Sequence, residues 1–320
     1  MSSNEISDLH LQSLQVSWDA YPFPEGNLNE LDLDKVNDFI DKVNDGGRFN
    51  LKDRGIAGLE KLNLVSGDFP TNAAMILFSK KNLGYNVHVG RFKTPSLIID
   101  DKIISGNLYD VVKETMQYIL GHIKVAFEIA GTETQRSEIF EYPIPALREL
   151  VLNAIVHRDY NDPGNIQIRI FDDFIEIWSP GLLPKELDIN SLPKNSRSIP
   201  RNKQLLNIFH LAGDIENWGT GFARISEACA VNGNPVPIFE EKSGAFIIRI
   251  NQILDKSSDK SSDKVFELLK ENQNITIKQI SEILKLSSRA VEKILAVLKK
   301  QNRIKRIGGK KTGKWETLNS

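Results

Sequence analysis

One cysteine, Cys229, stands among 320 residues. A single thiol excludes an intrachain disulfide and any zinc site built from cysteines. Long apolar runs are missing as well. The longest, around Ala73–Phe78, falls far short of the roughly 18 residues that a membrane span requires. The opening MSSNEISDLH has no basic stretch followed by an apolar one, so no signal peptide is expected. The expected location is the cytoplasm, with no membrane partner. His10, His88, His122, His157 and His210 are scattered without metal-ligand spacing. Walker loops are also lacking. Gly308–Lys314 imitates one, but Trp315 stands where Ser or Thr is required, and no helix follows. His157-Arg158-Asp159 imitates a kinase catalytic loop, yet Asn165 comes one residue too late for it.

Net charge is nearly absent too, at −1 from 41 basic and 42 acidic side chains, but this balance is composite. Lys264–Ser320 holds 14 Lys and Arg against 5 Asp and Glu, a net of +9; residues 1–263 carry a net of −10. A compact basic module on an acidic body points to nucleic acid as a partner of the tail. Hydrophobic content of 40% suffices for buried cores, and the length predicts two or three domains.

The sharpest boundary is DKSSDKSSDK, Asp255–Lys264, which has no apolar residue and reads as a flexible linker. Before it, Leu31–Val43 has helical spacing, and so does Leu108–Ala130. Asn72–Ser79, Tyr85–Val89 and Ser96–Ile99 read as strands or a helix–strand unit. Pro145 suits the first turn of a helix that continues over Ala146–His157. Ile166–Phe171 and Phe174–Trp178 read as strands joined by a tight Asp172-Asp173 turn. A loop follows over Ser179–Asn202, then helices from Lys203 and after Gly221, and Ala245–Ile250 closes as a strand.

Glu149 and Asn153 lie four apart on helix Ala146–His157 and so share a face. A carboxylate can orient or deprotonate a water, and an amide oxygen suits Mg²⁺. Two glycine turns accompany them, Ser179-Pro180-Gly181 after a strand and Gly219-Thr220-Gly221 before a helix. Glycines at a helix start let backbone N–H groups approach a phosphate.

The ordered text ALRELVLNAIVHRDY, FDDFIEIWSPGLLP, SIPRN and IENWGTGFARI resembles the GHKL (Bergerat-fold) ATPases, the superfamily of gyrase, histidine kinases and MutL. It is most similar to their divergent RecG-C-terminal-like, Schlafen-AlbA-associated branch. Through FPTNAAMILFSK and YPIPALRE the similarity covers roughly residues 65–250. The resemblance implies ATP and Mg²⁺ as cofactors, with Glu149 activating the hydrolytic water and Asn153 holding the metal. It implies further that Gly181 passes under the adenine and that Gly219, Thr220 and Gly221 bind phosphates. Pro184–Asn202 becomes a lid, with Arg201 a phosphate contact. One departure is plain: the family's adenine-binding aspartate is absent, and Ser179 offers an uncharged acceptor. Relatives carry an AlbA-type domain upstream, of which residues 1–25 match only a trailing edge, so a truncated or shorter variant is expected.

The tail spaces apolar residues over Val265–Lys270, Thr276–Leu284 and Ser288–Gln301, with Thr276 as an N-cap. Ile304–Ile307 and Trp315–Leu318 flank a Gly- and Lys-rich loop. This text resembles the winged helix-turn-helix domains of bacterial and archaeal transcription regulators. That likeness implies Ser287, Ser288, Arg289 and Lys293 at the DNA major groove, and Lys310, Lys311 and Lys314 on phosphates.

The expected fold is α+β: a smaller α/β region over 1–140, a GHKL-type α/β sandwich over 141–254, a linker over 255–263 and a winged helix over 264–320. The expected function is an ATP-binding regulator of transcription, a homodimer on double-stranded DNA and at most a weak ATPase. No motor motif supports helicase activity. The alternative is a non-catalytic DNA-binding regulator whose GHKL fold serves as a dimerisation or ligand-sensing scaffold.

Overall fold

The computed structural model describes residues 16–47, 49–129, 136–193, 198–215, 219–253, 256–300, 303–307 and 314–318. The chain divides into two compact units, Met1–Ile253 and Leu254–Ser320.

In the first unit, helix Leu33–Asp45 (α1) starts at Asp32, whose carboxylate accepts from the N–H groups of Asp34 and Lys35. Its three-and-four spacing buries Val36, Phe39, Ile40 and Val43. A short helix, Gly55–Lys61 (α2), and a small hairpin, Val65–Ser66 (β1) with Phe69–Pro70 (β2), follow. The apolar run after them is a helix, Asn72–Phe78 (α3), capped by Thr71 and buried at all seven positions. Uniform apolarity fits a buried helix or a buried strand equally well, and here the cap separates them.

Val87–Thr94 (β3) and Leu97–Ile104 (β4) form a hairpin, followed by helix Leu108–His122 (α4). The helical reading of Leu108–Ala130 overran. The backbone turns extended at Ile123, and Val125–Ile129 (β5) pairs with Arg136–Phe140 (β6). The β-branched Ile123 and Val125, just past Gly121, favour the extended chain over helix continuation.

Helix Ile144–His157 (α5) carries Pro145 in its first turn. The hairpin Ile166–Ile170 (β7) and Phe174–Pro180 (β8) then turns at Asp172-Asp173, where the Phe171 N–H donates to Phe174 O at 2.8 Å. Helices Lys203–Leu211 (α6) and Gly221–Asn232 (α7) precede strands Ile238–Lys242 (β9) and Ala245–Asn251 (β10). One six-stranded sheet of order β4-β3-β7-β8-β10-β9 results. Every neighbour pair in it is antiparallel except β3 with β7. Isoleucines of β7, β8 and β10 are buried in one core with α4 and α5, and an α/β sandwich is the outcome.

The expected boundary between residues 140 and 141 is therefore corrected. Strands β3 and β4 precede it, yet β3 hydrogen-bonds to β7 inside the sheet that also holds β8 and β10. Sequence order misled because a crossover joins distant segments into one sheet.

The exit of α5 is pinned from several directions. Arg158, 1% exposed, donates to the carbonyls of Asp162 and Gly164 and lies over the rings of Tyr85 and Tyr160. Asn202 donates to the carbonyls of Val156 and Arg158, both at 2.8 Å. From the N-terminal segment, buried Asp19 accepts from the Leu205 N–H at 2.8 Å and so caps α6. The Asn202 and Asp19 contacts satisfy otherwise orphaned helix-end groups, and Arg158 ties down the loop that follows α5.

The second unit holds helices Lys256–Glu271 (α8), Ile277–Leu284 (α9) and Ser288–Lys300 (α10), then an antiparallel pair, Ile304–Ile307 (β11) and Lys314–Thr317 (β12). The flexible linker expected at 255–263 is corrected: its residues from Lys256 onward are the N-terminal half of α8. The repeat contains no Gly or Pro to break a helix, and the stripe containing Val265 and Leu269 anchors that helix in the core. Thr276 and Gln279 make a reciprocal capping box at the start of α9. Trp315 closes the core beneath the Lys299 and Arg306 cations.

Candidate nucleotide site

Helix α5 is apolar on nearly every side, and apart from the exposed Arg148 its positions from Ala146 to Val156 are buried. Glu149 and Asn153 are its buried polar residues, at 6% and 7% exposure. A solvated surface pair is thereby excluded, and a buried carboxylate demands partners. It has two. The Asn153 Nδ2 donates to Glu149 Oε1 at 3.3 Å, and Arg224 pairs with Glu149 Oε2 at 2.5 Å. Since the Asn153 amide nitrogen faces the carboxylate, its Oδ1 stays available as a hard oxygen donor.

Arg224 stands in the first turn of α7, three residues beyond Gly221. Gly219 adopts φ 72, a left-handed conformation that favours glycine, and Thr220 accepts from the Arg224 N–H at 2.9 Å. Gly221 is needed for a different reason. A Cβ there would overlap Glu149 Oε1 and lie 3.2 Å from Asn153 Nδ2. The start of α7 thus sits directly on the polar pair of α5, and only glycine permits that approach.

Strand β8 delivers the other turn. Ser179 is buried, and its hydroxyl donates to Ala154 O at 2.8 Å, so its lone pairs remain as acceptors. Gly181 adopts φ 107, and a Cβ on it would crowd Asp159. Arg201, expected at phosphates, lines the cleft described below. It donates to Leu182 O at 2.9 Å and pairs with Asp159 at 3.4 Å, beside Gly181.

Between these turns lies a cleft of about 590 Å³, counting the part open to solvent. Asn153, Ser179, Gly181 and Arg201 line it among apolar side chains that include Phe222, Phe246 and Leu183. A few convergent polar groups on an apolar wall suit a flat heteroaromatic ligand with a polar tail. His157 also lines it. Burial, with the Arg201 charge second, pushes its pKa down to about 4, so it is a neutral imidazole at pH 7.

Of the tail residues, Ser287, Ser288, Arg289, Lys293 and Lys314 are exposed. Ser287 Oγ accepts from the Ala290 N–H at 3.2 Å and so caps α10 as well. Lys310 and Lys311 lie outside the described residues. Among the described residues no cluster of three His, Cys, Asp or Glu forms a metal cage, and no helix is long and apolar enough to cross a membrane.

Sequence reading missed Arg224. A basic residue in the first turn of a helix opposes the helix dipole, and that irregularity was the signal for a buried anion opposite it.

With this geometry in view, comparison with known proteins adds three findings. Residues 164–250 match the family described as "Putative ATP-dependent DNA helicase recG C-terminal", and a GHKL-like ATPase-type domain is thereby supported. That stretch carries both glycine turns, while Glu149 and Asn153 precede it and join it through packing. The crystal structure of the DIP2311 protein from Corynebacterium diphtheriae superposes with a TM-score of 0.62 at 17% identity, over 97% of this chain and 66% of that one. At that identity the likeness concerns fold alone, and the chain spans just under two thirds of its neighbour. No curated protein matches the sequence.

Proposed function

We propose that the cleft binds ATP with Mg²⁺ and that the chain is a DNA-binding regulator of transcription acting as a homodimer. The observation that carries the nucleotide reading is the contact of Gly221 with Glu149 and Asn153. It brings a glycine-rich helix start, a buried carboxylate and a free amide oxygen to one point beside an apolar cleft. The Gly219–Gly221 backbone and the α7 dipole would receive the phosphates. Ser179 would accept from the adenine, and Gly181 would let the chain pass beneath it. Asn153 Oδ1 is the atom that fits the metal, which when bound would neutralise phosphate charge. Glu149 is the group placed to orient or deprotonate a water, giving slow hydrolysis.

The DNA reading rests on the second unit. Its three helices and hairpin have the order of a winged helix, with Arg289 and Lys293 displayed on α10 and Lys314 on the hairpin. Double-stranded DNA would take α10 in its major groove, with Lys310, Lys311 and Lys314 on phosphates.

A second reading has its own support. Both carboxylate oxygens of Glu149 are occupied, and Ser179 replaces the expected aspartate, as suits a scaffold without turnover. Titration calorimetry with ATP and Mg²⁺ separates the two. Binding that persists in Glu149→Ala while hydrolysis is lost supports the enzyme; no heat at millimolar ATP leaves the scaffold. Deleting residues 256–320 is expected to abolish DNA binding in a mobility-shift assay, and retained binding would move the DNA surface elsewhere.

A further inference from the structure

Arg224 is paired with the candidate base Glu149. The Glu149 carboxylate accepts from Arg224 on one oxygen and from Asn153 on the other. The two partners differ in freedom. Asn153 is buried on the same helix as Glu149 and is fixed by it. The Arg224 side chain is 43% exposed against 8% for Glu149, and it springs from the first turn of α7, three residues past the glycine that touches the carboxylate. A long, partly exposed cation can swing outward, whereas the buried carboxylate cannot.

Building on the nucleotide reading above, we propose that Arg224 is the residue that distinguishes a triphosphate from a diphosphate, by exchanging its bond to Glu149 for one to the terminal phosphate. A guanidinium binds a phosphate through paired N–H groups at least as well as a carboxylate, and the terminal phosphate of ATP carries more charge than one carboxylate. Release of Arg224 frees one oxygen of Glu149 for a water. A diphosphate lacks the γ-phosphate, so no anion reaches the position where Arg224 would exchange partners, and the ion pair survives. Arg224 therefore positions Glu149 and reads the ligand; it is not assigned a chemical step.

The proposal orders the affinities of the 320-residue chain and three variants for the β,γ-imido analogue of ATP and for ADP, measured by calorimetry with Mg²⁺. Glu149→Gln removes the competitor for Arg224, so analogue affinity should rise about tenfold, the size of one charge-assisted contact, while ADP affinity stays unchanged. Glu149→Gln with Arg224→Gln should lose that gain and bind the two nucleotides within about twofold of each other. The pair is neutral in this double variant, so it avoids the unpaired buried charge of Arg224→Gln alone. Arg224→Lys should keep part of the discrimination. If Glu149→Gln and the double variant show the same analogue-to-ADP ratio, Arg224 does not read the terminal phosphate. If none of these proteins binds either nucleotide, the ATP reading itself falls, and this inference falls with it.

Discussion

Helices α5 and α10 are of similar length and both carry candidate functional residues, yet they handle them in opposite ways. α5 buries Glu149 and Asn153 in an apolar helix, where a charge survives only with a partner. α10 turns Val291, Ile294, Leu295 and Leu298 inward and leaves Arg289 and Lys293 in water. The acidic unit hides its chemistry and the basic unit displays it. Function and stability should therefore be coupled in the first and separable in the second.

The largest effect that could break this contrast is expected at Arg224. Arg224→Leu leaves the Glu149 carboxylate buried without its cation, and a loss of about 2–4 kcal/mol is expected. Arg289→Ala removes an equal charge from α10 and should change stability by under about 0.5 kcal/mol while weakening DNA binding severalfold. Urea denaturation of the two variants compares them directly. Equal losses would erase the distinction.

Protonation offers a second comparison, because the basic unit contains no histidine. His157 has a folded pKa near 4 against an ordinary value of 6.5. The unfolded chain thus takes up the proton first. The stabilisation is fully present above pH 6.5 and is lost as pH falls towards 4, amounting to about 3 kcal/mol. Burial raises the pKa of Asp19, which acts in the reverse sense above its ordinary 3.8. The His157→Gln variant isolates the histidine: hydrogen exchange between pH 7 and 5 should show a smaller decline in the acidic unit than wild type, and no change in the basic one.

Gly221→Ala comes next, at about 1–3 kcal/mol, since its Cβ would meet the carboxylate of a helix that is itself packed. Nucleotide binding should fall along with stability. A variant of full stability that also retained binding would show that α7 can withdraw from α5 without consequence.

How much of this was legible in the sequence follows the same division. The amphipathic tail could be read almost residue by residue, because a helix with one wet face writes its period into the sequence. The exception was DKSSDKSSDK, where polarity masked a helix anchored by residues beyond the repeat. In the acidic unit the hairpin β7–β8 and both glycine turns were legible from local chemistry. The extent of the sheet was not, since β3 meets β7 across some eighty residues of chain. Nor was the Glu149–Arg224 pair, whose members are 75 residues apart. Spacing placed Glu149 and Asn153 on one face but could not say that the face was buried.

The smallest effect tests the comparison at its most local. Thr276 and Gln279 form a capping box in the basic unit, and Thr71 accepts from the Ala74 N–H at 3.2 Å at the head of the buried helix α3. Removing a cap hydroxyl costs about 1 kcal/mol in general. Thr276 is exposed through its box, so in Thr276→Ala water can satisfy the freed N–H groups, and the loss should be about 0.5–1 kcal/mol. Thr71 is 1% exposed, and the N–H freed by Thr71→Ala has no water to turn to, so the loss should be about 1–2 kcal/mol. Two identical substitutions at N-cap positions then differ in access to solvent and in the box that Thr276 shares with Gln279. Thermal unfolding of the pair, followed separately for each unit, measures that difference. If Thr276→Ala proved the costlier of the two, burial would not be what couples stability to polar contacts in the acidic unit.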